Sequence, residues 1–119
     1  MTRLATTKLH TTEAATLRAI CDWLDKNNQV WLRHGPSNVV GKKGEATFRK
    51  IRDSQKGAPD VIWFKDDTFG FDCRPIAIEV KSPTGKQSPD QKRWQGKFEA
   101  VGGEYWLIRS VDEFLGKVA

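Results

Sequence analysis

The segments Gly57-Ala58-Pro59-Asp60-Val61-Ile62-Trp63-Phe64 and Ile76-Ala77-Ile78-Glu79-Val80-Lys81 decide the fold. Gly57-Ala58-Pro59 breaks any regular element, and Asp60 to Phe64 reads as a buried strand because four bulky apolar residues run uninterrupted. Ile76 to Lys81 reads as a second strand, with Asp66 to Cys73 turning between the two. Alternation puts Ala77, Glu79 and Lys81 on one face of that strand, and Ile76, Ile78 and Val80 on the other. A hairpin centred on Phe69-Gly70 would set Asp60 opposite Glu79, at a cross-strand distance of about 5 Å. A turn nearer Asp67 would shift that register. In the first register two carboxylates and one ammonium converge at one end of the sheet. Carboxylates that close repel each other, so either one takes a proton or a cation sits between them. Oxygen donors select a hard divalent ion such as Mg²⁺ or Mn²⁺.

Downstream, Ser82-Pro83-Thr84-Gly85 reads as a loop before a clearly announced helix. Ser88 is its N-cap, Pro89 its first residue, and Gln91 completes a capping box. Trp94, Phe98 and Val101 are expected to form the buried face, and Gly102-Gly103 the left-handed stop. Glu104 to Arg109 reads as a strand, and a second capping box, Ser110 to Glu113, opens a terminal helix carrying Val111, Phe114 and Leu115. The strand ending at Lys81, the helix from Ser88 and the strand from Glu104 make a βαβ unit, expected to be parallel and right-handed.

Upstream, Thr11 or Thr12 caps a helix running to about Lys26, with Leu17, Ile20, Cys21 and Leu24 as its apolar stripe. Asn27-Asn28 ends it, and Gln29 to Arg33 reads as a strand closed by Gly35-Pro36. Residues 1–10 read as a flexible arm, and residues 46–51 as either a strand or a short helix. The expected architecture is one α/β domain over residues 1–119, a central mixed sheet flanked by helices.

Two polar residues sit on faces that should point inward. Glu13 lies within about 40° of the line through Leu17, Ile20 and Leu24 at 100° per residue. The helix dipole favours an acid in the first turn, which accounts for the residue type but not for its azimuth. Gln91 similarly aligns with Trp94 and Phe98, with its capping role as the alternative. Both would reach the sheet end where Asp60, Glu79 and Lys81 meet.

Composition bounds the rest. The 119 residues carry a net charge of +5, are 38% hydrophobic and 29% charged, and so suit a single globular domain. Residues 1–60 hold eleven basic and six acidic side chains, against nine of each in residues 61–119. Lys42, Lys43, Arg49, Lys50, Arg52 and Lys56 form a basic run that reads either as a solvated loop or as a phosphate-facing stripe. Cys21 and Cys73 make no disulfide framework or CxxC site, and no signal peptide or membrane span is seen, so a reduced cytoplasmic setting is expected. Neither GxxxxGK[ST] nor GxGxxG occurs, so no nucleotide cofactor is expected. His10 and His34 are far apart, which argues against a histidine-based site.

Pro59-Asp60 followed by Glu79-Val80-Lys81 resembles the signature of the PD-(D/E)XK nuclease superfamily. More narrowly, the chain is similar to the VRR-NUC (virus-type replication-repair nuclease) domain in its stand-alone, phage-like form. The matching features are Glu13, Trp31-Leu32-Arg33, Gly57-Ala58-Pro59-Asp60, Ile78-Glu79-Val80-Lys81, Ser88-Pro89-Asp90-Gln91, Gly102-Gly103, and Ser110 with Asp112. The resemblance assigns nothing to residues 37–56. The resemblance implies a restriction-endonuclease-like fold and Mg²⁺- or Mn²⁺-dependent hydrolysis of DNA phosphodiesters. Asp60, Glu79 and the Val80 carbonyl would hold the metal, and Glu13 would bind or orient it through a water. Lys81 would position the attacking water and steady charge on the phosphate, with Gln91 supporting Lys81 or the water. Arg33 and Lys86, with the basic run from Lys42 to Lys56, are expected to contact DNA. The resemblance further implies a homodimer cutting branched DNA such as four-way junctions, in a host cytoplasm if phage-encoded. The competing readings are a nicking or restriction-type endonuclease on duplex or flap DNA, and a non-catalytic basic DNA-binding module.

Overall fold

Thr12 starts the first helix, α1 (Glu13–Lys26), by accepting the Ala15 N–H on its hydroxyl. The structure is a computed structural model and describes residues 12–34, 38–40, 46–48, 52–66 and 72–119. The expected arm at 1–10, the lysines and arginine at Lys42, Lys43, Arg49 and Lys50, and the turn at Phe69-Gly70 lie outside the described residues. The apolar stripe of α1 is rotated slightly from the expected one. Thr16, Ile20 and Leu24 are buried, while Leu17 and Cys21 pack at the margin. Asn28, at φ 55°, ends the helix in a left-handed turn that asparagine tolerates.

The strands are β1 (Val30–Arg33), β2 (Asn38–Val40), β3 (Ala46–Phe48), β4 (Val61–Asp66), β5 (Cys73–Val80) and β6 (Glu104–Ile108). Helices α2 (Pro89–Ala100) and α3 (Val111–Val118) flank β6 in the chain. Four strands form one sheet in the order β1-β4-β5-β6, and β2 pairs with β3 separately. Residues 46–48 are therefore strand, not helix. β1, β4 and β5 run antiparallel, and β6 runs parallel to β5, as the βαβ reading requires. Val61 pairs with Ile78 and Trp63 with Ile76, the register expected for a turn centred on Phe69-Gly70.

β5 begins three residues earlier than expected, and its extra length contains Pro75. Proline lacks an N–H and is confined to strand positions with a free side. Pro75 satisfies this, because pairing with β6 starts only at Ile76 and Glu104.

The core lies between the sheet and helices α1 and α3. Ile20, Leu24, Val61, Trp63, Ile76, Ile78, Val80, Trp106, Ile108 and Phe114 form one buried cluster. Each large apolar side chain buried there stabilises the fold by roughly 1.5–3 kcal/mol. Trp23 joins it edge-on to Trp63 and Phe114. Helix α2 lies over the opposite face, reached through Gln91 to Glu79, and Gln87 in the loop just before it bonds Tyr105. It buries no residue completely, although Trp94 and Phe98 stack on each other.

Two local expectations are corrected. Val101 is 83% exposed, because it is the C-cap of α2, where the helix ends and Gly102 at φ 100° turns the chain toward β6. At α3 the Ser110 hydroxyl caps the Glu113 N–H, but the Glu113 carboxylate reaches back to the Arg109 N–H and not to that of Ser110. The reciprocal half of that capping box is therefore displaced by one residue.

Candidate active site

The chain enters β4 through Asp60, whose Oδ2 accepts the backbone N–H of Val80 at 2.8 Å. This bond ties the start of β4 to the end of β5. Glu79 projects from the α2 side of β5, opposite in parity to Ile78 and Val80, and is 5% exposed. Its Oε2 accepts the side-chain amide of Gln91 at 2.9 Å and lies 3.8 Å from the Lys81 ammonium. Gln91 completes the expected capping box and also reaches the sheet end, where its partner is Glu79 and not Lys81. Its carbonyl oxygen accepts the Ser88 N–H of the capping box while its NH₂ holds Glu79.

Glu13 is exposed and not buried, since the first turn of α1 overhangs the end of the sheet. Its azimuth is nonetheless as expected, because Oε2 accepts the N–H of Ser82, next to Lys81, at 3.0 Å. Helices from both faces thus send a side chain to one sheet end, one to Glu79 and the other to the residue after Lys81.

The electrostatics follow from this crowding. Burial pushes the Glu79 carboxyl up to about 7, Asp60 pushes it the same way, and Lys81 only partly offsets them. Burial also raises Asp60, while the Val80 N–H and the Arg33 guanidinium pull it back and Glu13 pushes it up. Two carboxylates facing one ammonium leave negative charge uncompensated, which is the environment in which a divalent cation binds hard oxygen donors. The donor set therefore fits such an ion. Among the described residues no group of three His, Cys, Asp or Glu side chains forms a ready-made cage. A metal held here would rely on two carboxylates and a backbone carbonyl.

Of the cations expected to meet DNA, Arg33, Arg52, Lys56 and Lys86 are exposed. Three contributors were not legible beforehand. Tyr105 sits beside Ala77 on the Glu79 face, and burial raises its phenol to about 12. Gln87 reaches both Tyr105 and Gln95. Arg109 grips the loop after Lys81. The pairing of β6 with β5 brings Tyr105 and Arg109 in, and only the register of that parallel pair would have revealed it.

An α/β sheet that gathers an aspartate, a Glu-x-Lys pair and two helix-borne polar side chains at one end has the architecture of the PD-(D/E)XK nucleases. Within that class the chain belongs to the VRR-NUC domain family, whose sequence profile matches residues 8–112. A solved structure described as a VRR_NUC domain shares the fold, with a TM-score of 0.61 at 16% identity over 91% of this chain and 95% of that one. No curated protein matches the chain. The protein is a nuclease domain.

Proposed function

We propose that this nuclease is a divalent-metal-dependent DNA endonuclease that selects branched DNA, four-way junctions first. The observation that carries the reading is the meeting of Asp60, Glu79 and Lys81 at one sheet end, braced by Gln91 and Glu13. Asp60, Glu79 and the Val80 carbonyl would hold Mg²⁺ or Mn²⁺, with Glu13 reaching it through water. Bound there, the ion would acidify a water and polarise the phosphoryl oxygen. Lys81 supplies fixed positive charge against the phosphate and orients the attacking water. Gln91 keeps the Glu79 carboxylate turned toward the site by occupying its Oε2. Arg33, Arg52, Lys56 and Lys86, with the basic run beginning at Lys42, contact the phosphates. A homodimer suits a four-way junction, since two sites related by a two-fold axis can cut symmetric strands. The setting is a cytoplasm, that of the host for a phage-encoded chain.

The test is a panel of labelled junction, flap and linear duplex DNA with Mg²⁺, Mn²⁺ or EDTA. Junction cleavage should require metal, and Asp60→Asn or Lys81→Ala should bind DNA without cutting it. Undiminished cutting by those purified variants would remove the mechanism, and equal rates on duplex would remove the junction preference. Binding with no product at any metal concentration would leave a DNA-binding module. Light scattering at micromolar concentration tests the dimer.

A further inference from the structure

The loop that follows Lys81 is closed by one guanidinium. Arg109, just past the end of β6, donates from Nη1 to the carbonyl oxygens of Ser82 and Gly85, both at 2.7 Å, and lies 3.4 Å from that of Pro83. Among the described residues Arg109 has no carboxylate partner for its guanidinium. Its charge is directed at neutral carbonyls, where charge-assisted bonds are stronger than neutral ones.

The gripped loop is the one on which the site depends. Ser82 is held on both sides, its N–H by Glu13 at 3.0 Å and its C=O by Arg109. The Gly85 N–H closes the turn onto the Ser82 carbonyl at 3.1 Å. A Cβ on Gly85 would lie 3.6 Å from Lys81 Cβ, so the turn packs directly behind the lysine stem. Lys81 is itself fixed by donating its N–H to the Ile108 carbonyl at 2.9 Å, one residue before Arg109. The backbone of Arg109 is held in turn by the Glu113 carboxylate at 2.7 Å. One continuous set of bonds therefore runs from α3 through Arg109 and Ser82 to Glu13 on α1, with Lys81 beside it.

We propose that Arg109 is a positioning residue of the nuclease site: its bonds to the Ser82 and Gly85 carbonyls fix the turn that sets the origin of the Lys81 side chain and anchors Glu13. The inference rests on the metal-dependent nuclease reading. Without the guanidinium the turn keeps its Gly85-to-Ser82 bond and the Ser82 N–H bond to Glu13, but Lys81 and Glu13 lose the common anchor of its carbonyls. Binding of DNA elsewhere on the surface is untouched.

The test compares the wild type with Arg109→Met, which keeps an unbranched apolar stem but has no donor, and with Arg109→Lys, whose ammonium stops one bond short of the Nη1 position that bonds both carbonyls. In single-turnover cleavage with Mg²⁺, R109M should slow about 10- to 100-fold, the range for groups that orient a site's ligands. R109K should fall between R109M and wild type, and KM for DNA should stay within about threefold. Millimolar guanidinium chloride should restore part of the R109M rate, and equal NaCl should not. A structural residue would give no such rescue. R109M at the wild-type rate, a raised KM with unchanged kcat, or absence of rescue would each overturn the proposal. If R109M does not melt cooperatively, R109K decides, and a full rate in R109K overturns it. A wild type that cuts nothing with metal fails the nuclease reading itself; a wild type and R109M that cut equally fail only the role of Arg109.

Discussion

Glu79 shows how a single side chain links folding to chemistry. In the folded chain its carboxyl holds a proton up to about pH 7, against an ordinary value of 4.5. Between those values the folded state binds more protons than the unfolded one. The stability this residue contributes is therefore complete below pH 4.5 and lost as pH rises through 7, and Asp60, also raised, acts in the same direction. The loss is on the order of 3 kcal/mol. In EDTA, the melting temperature should fall from pH 5 to pH 8, and Mn²⁺ should flatten that slope. Glu79→Gln should raise the metal-free melting temperature at pH 8 while abolishing cleavage; a variant less stable than wild type there would contradict this account. Gln91 allows a sharper separation. Gln91→Glu keeps an acceptor for the Ser88 N–H but sets a second carboxylate against Glu79, so activity should fall at pH 8 with helix stability retained. Gln91→Ala should lose both, with about 1–2 kcal/mol visible in urea unfolding. The approach of Asp60 to the end of β5 was legible because strand alternation and a hairpin register are arithmetic on the chain. The partners of Arg109 were not, because carbonyls in a loop carry no side-chain signal.

At the scale of elements, the turn before β4 and the first turn of α2 meet at Gly57. Gly57 has φ 83°, and a methyl there would land on the Asp90 carbonyl. Gly57→Ala should destabilise by on the order of 3 kcal/mol through left-handed strain and overpacking, read as a shift in the urea midpoint. Ser88→Ala, by contrast, removes one cap and should cost about 1 kcal/mol. Element types and order were readable because each boundary carries chemistry: Thr12 and Ser88 as caps, Gly102 as a stop, Gly57-Ala58-Pro59 as a break. The miss at Val101 has a different origin. Helical periodicity continues on paper past the residue where the backbone stops being helical, so a C-cap inherits a buried face that it does not have. The early start of β5 was hidden for a related reason, since Pro75 argues against a strand unless one knows that β6 begins pairing only at Ile76.

Taken as a whole, the molecule places its net charge of +5 unevenly and its chemistry at one sheet end. If exposed Arg52 and Lys56 meet phosphates, Arg52→Glu with Lys56→Glu should weaken junction binding and lower the slope of log affinity against log salt by about 2. An unchanged slope would place the DNA elsewhere. Lys56 already shares its charge with Asp53 at 3.1 Å, so Arg52→Glu alone should give the larger single effect.

The aromatic centre has a consequence of its own. Trp63 touches Trp23 and Trp106 edge-on, with ring centroids 5.9 and 6.0 Å apart, and all three rings surround Phe114. Indoles locked that close at fixed angles couple their intense transitions, so the folded chain should carry a far-ultraviolet dichroic couplet that vanishes on unfolding. Trp94, stacked on Phe98 outside that trio, would leave the couplet untouched. The protein thus carries its own optical gauge of whether a silent variant has lost its chemistry or its shape.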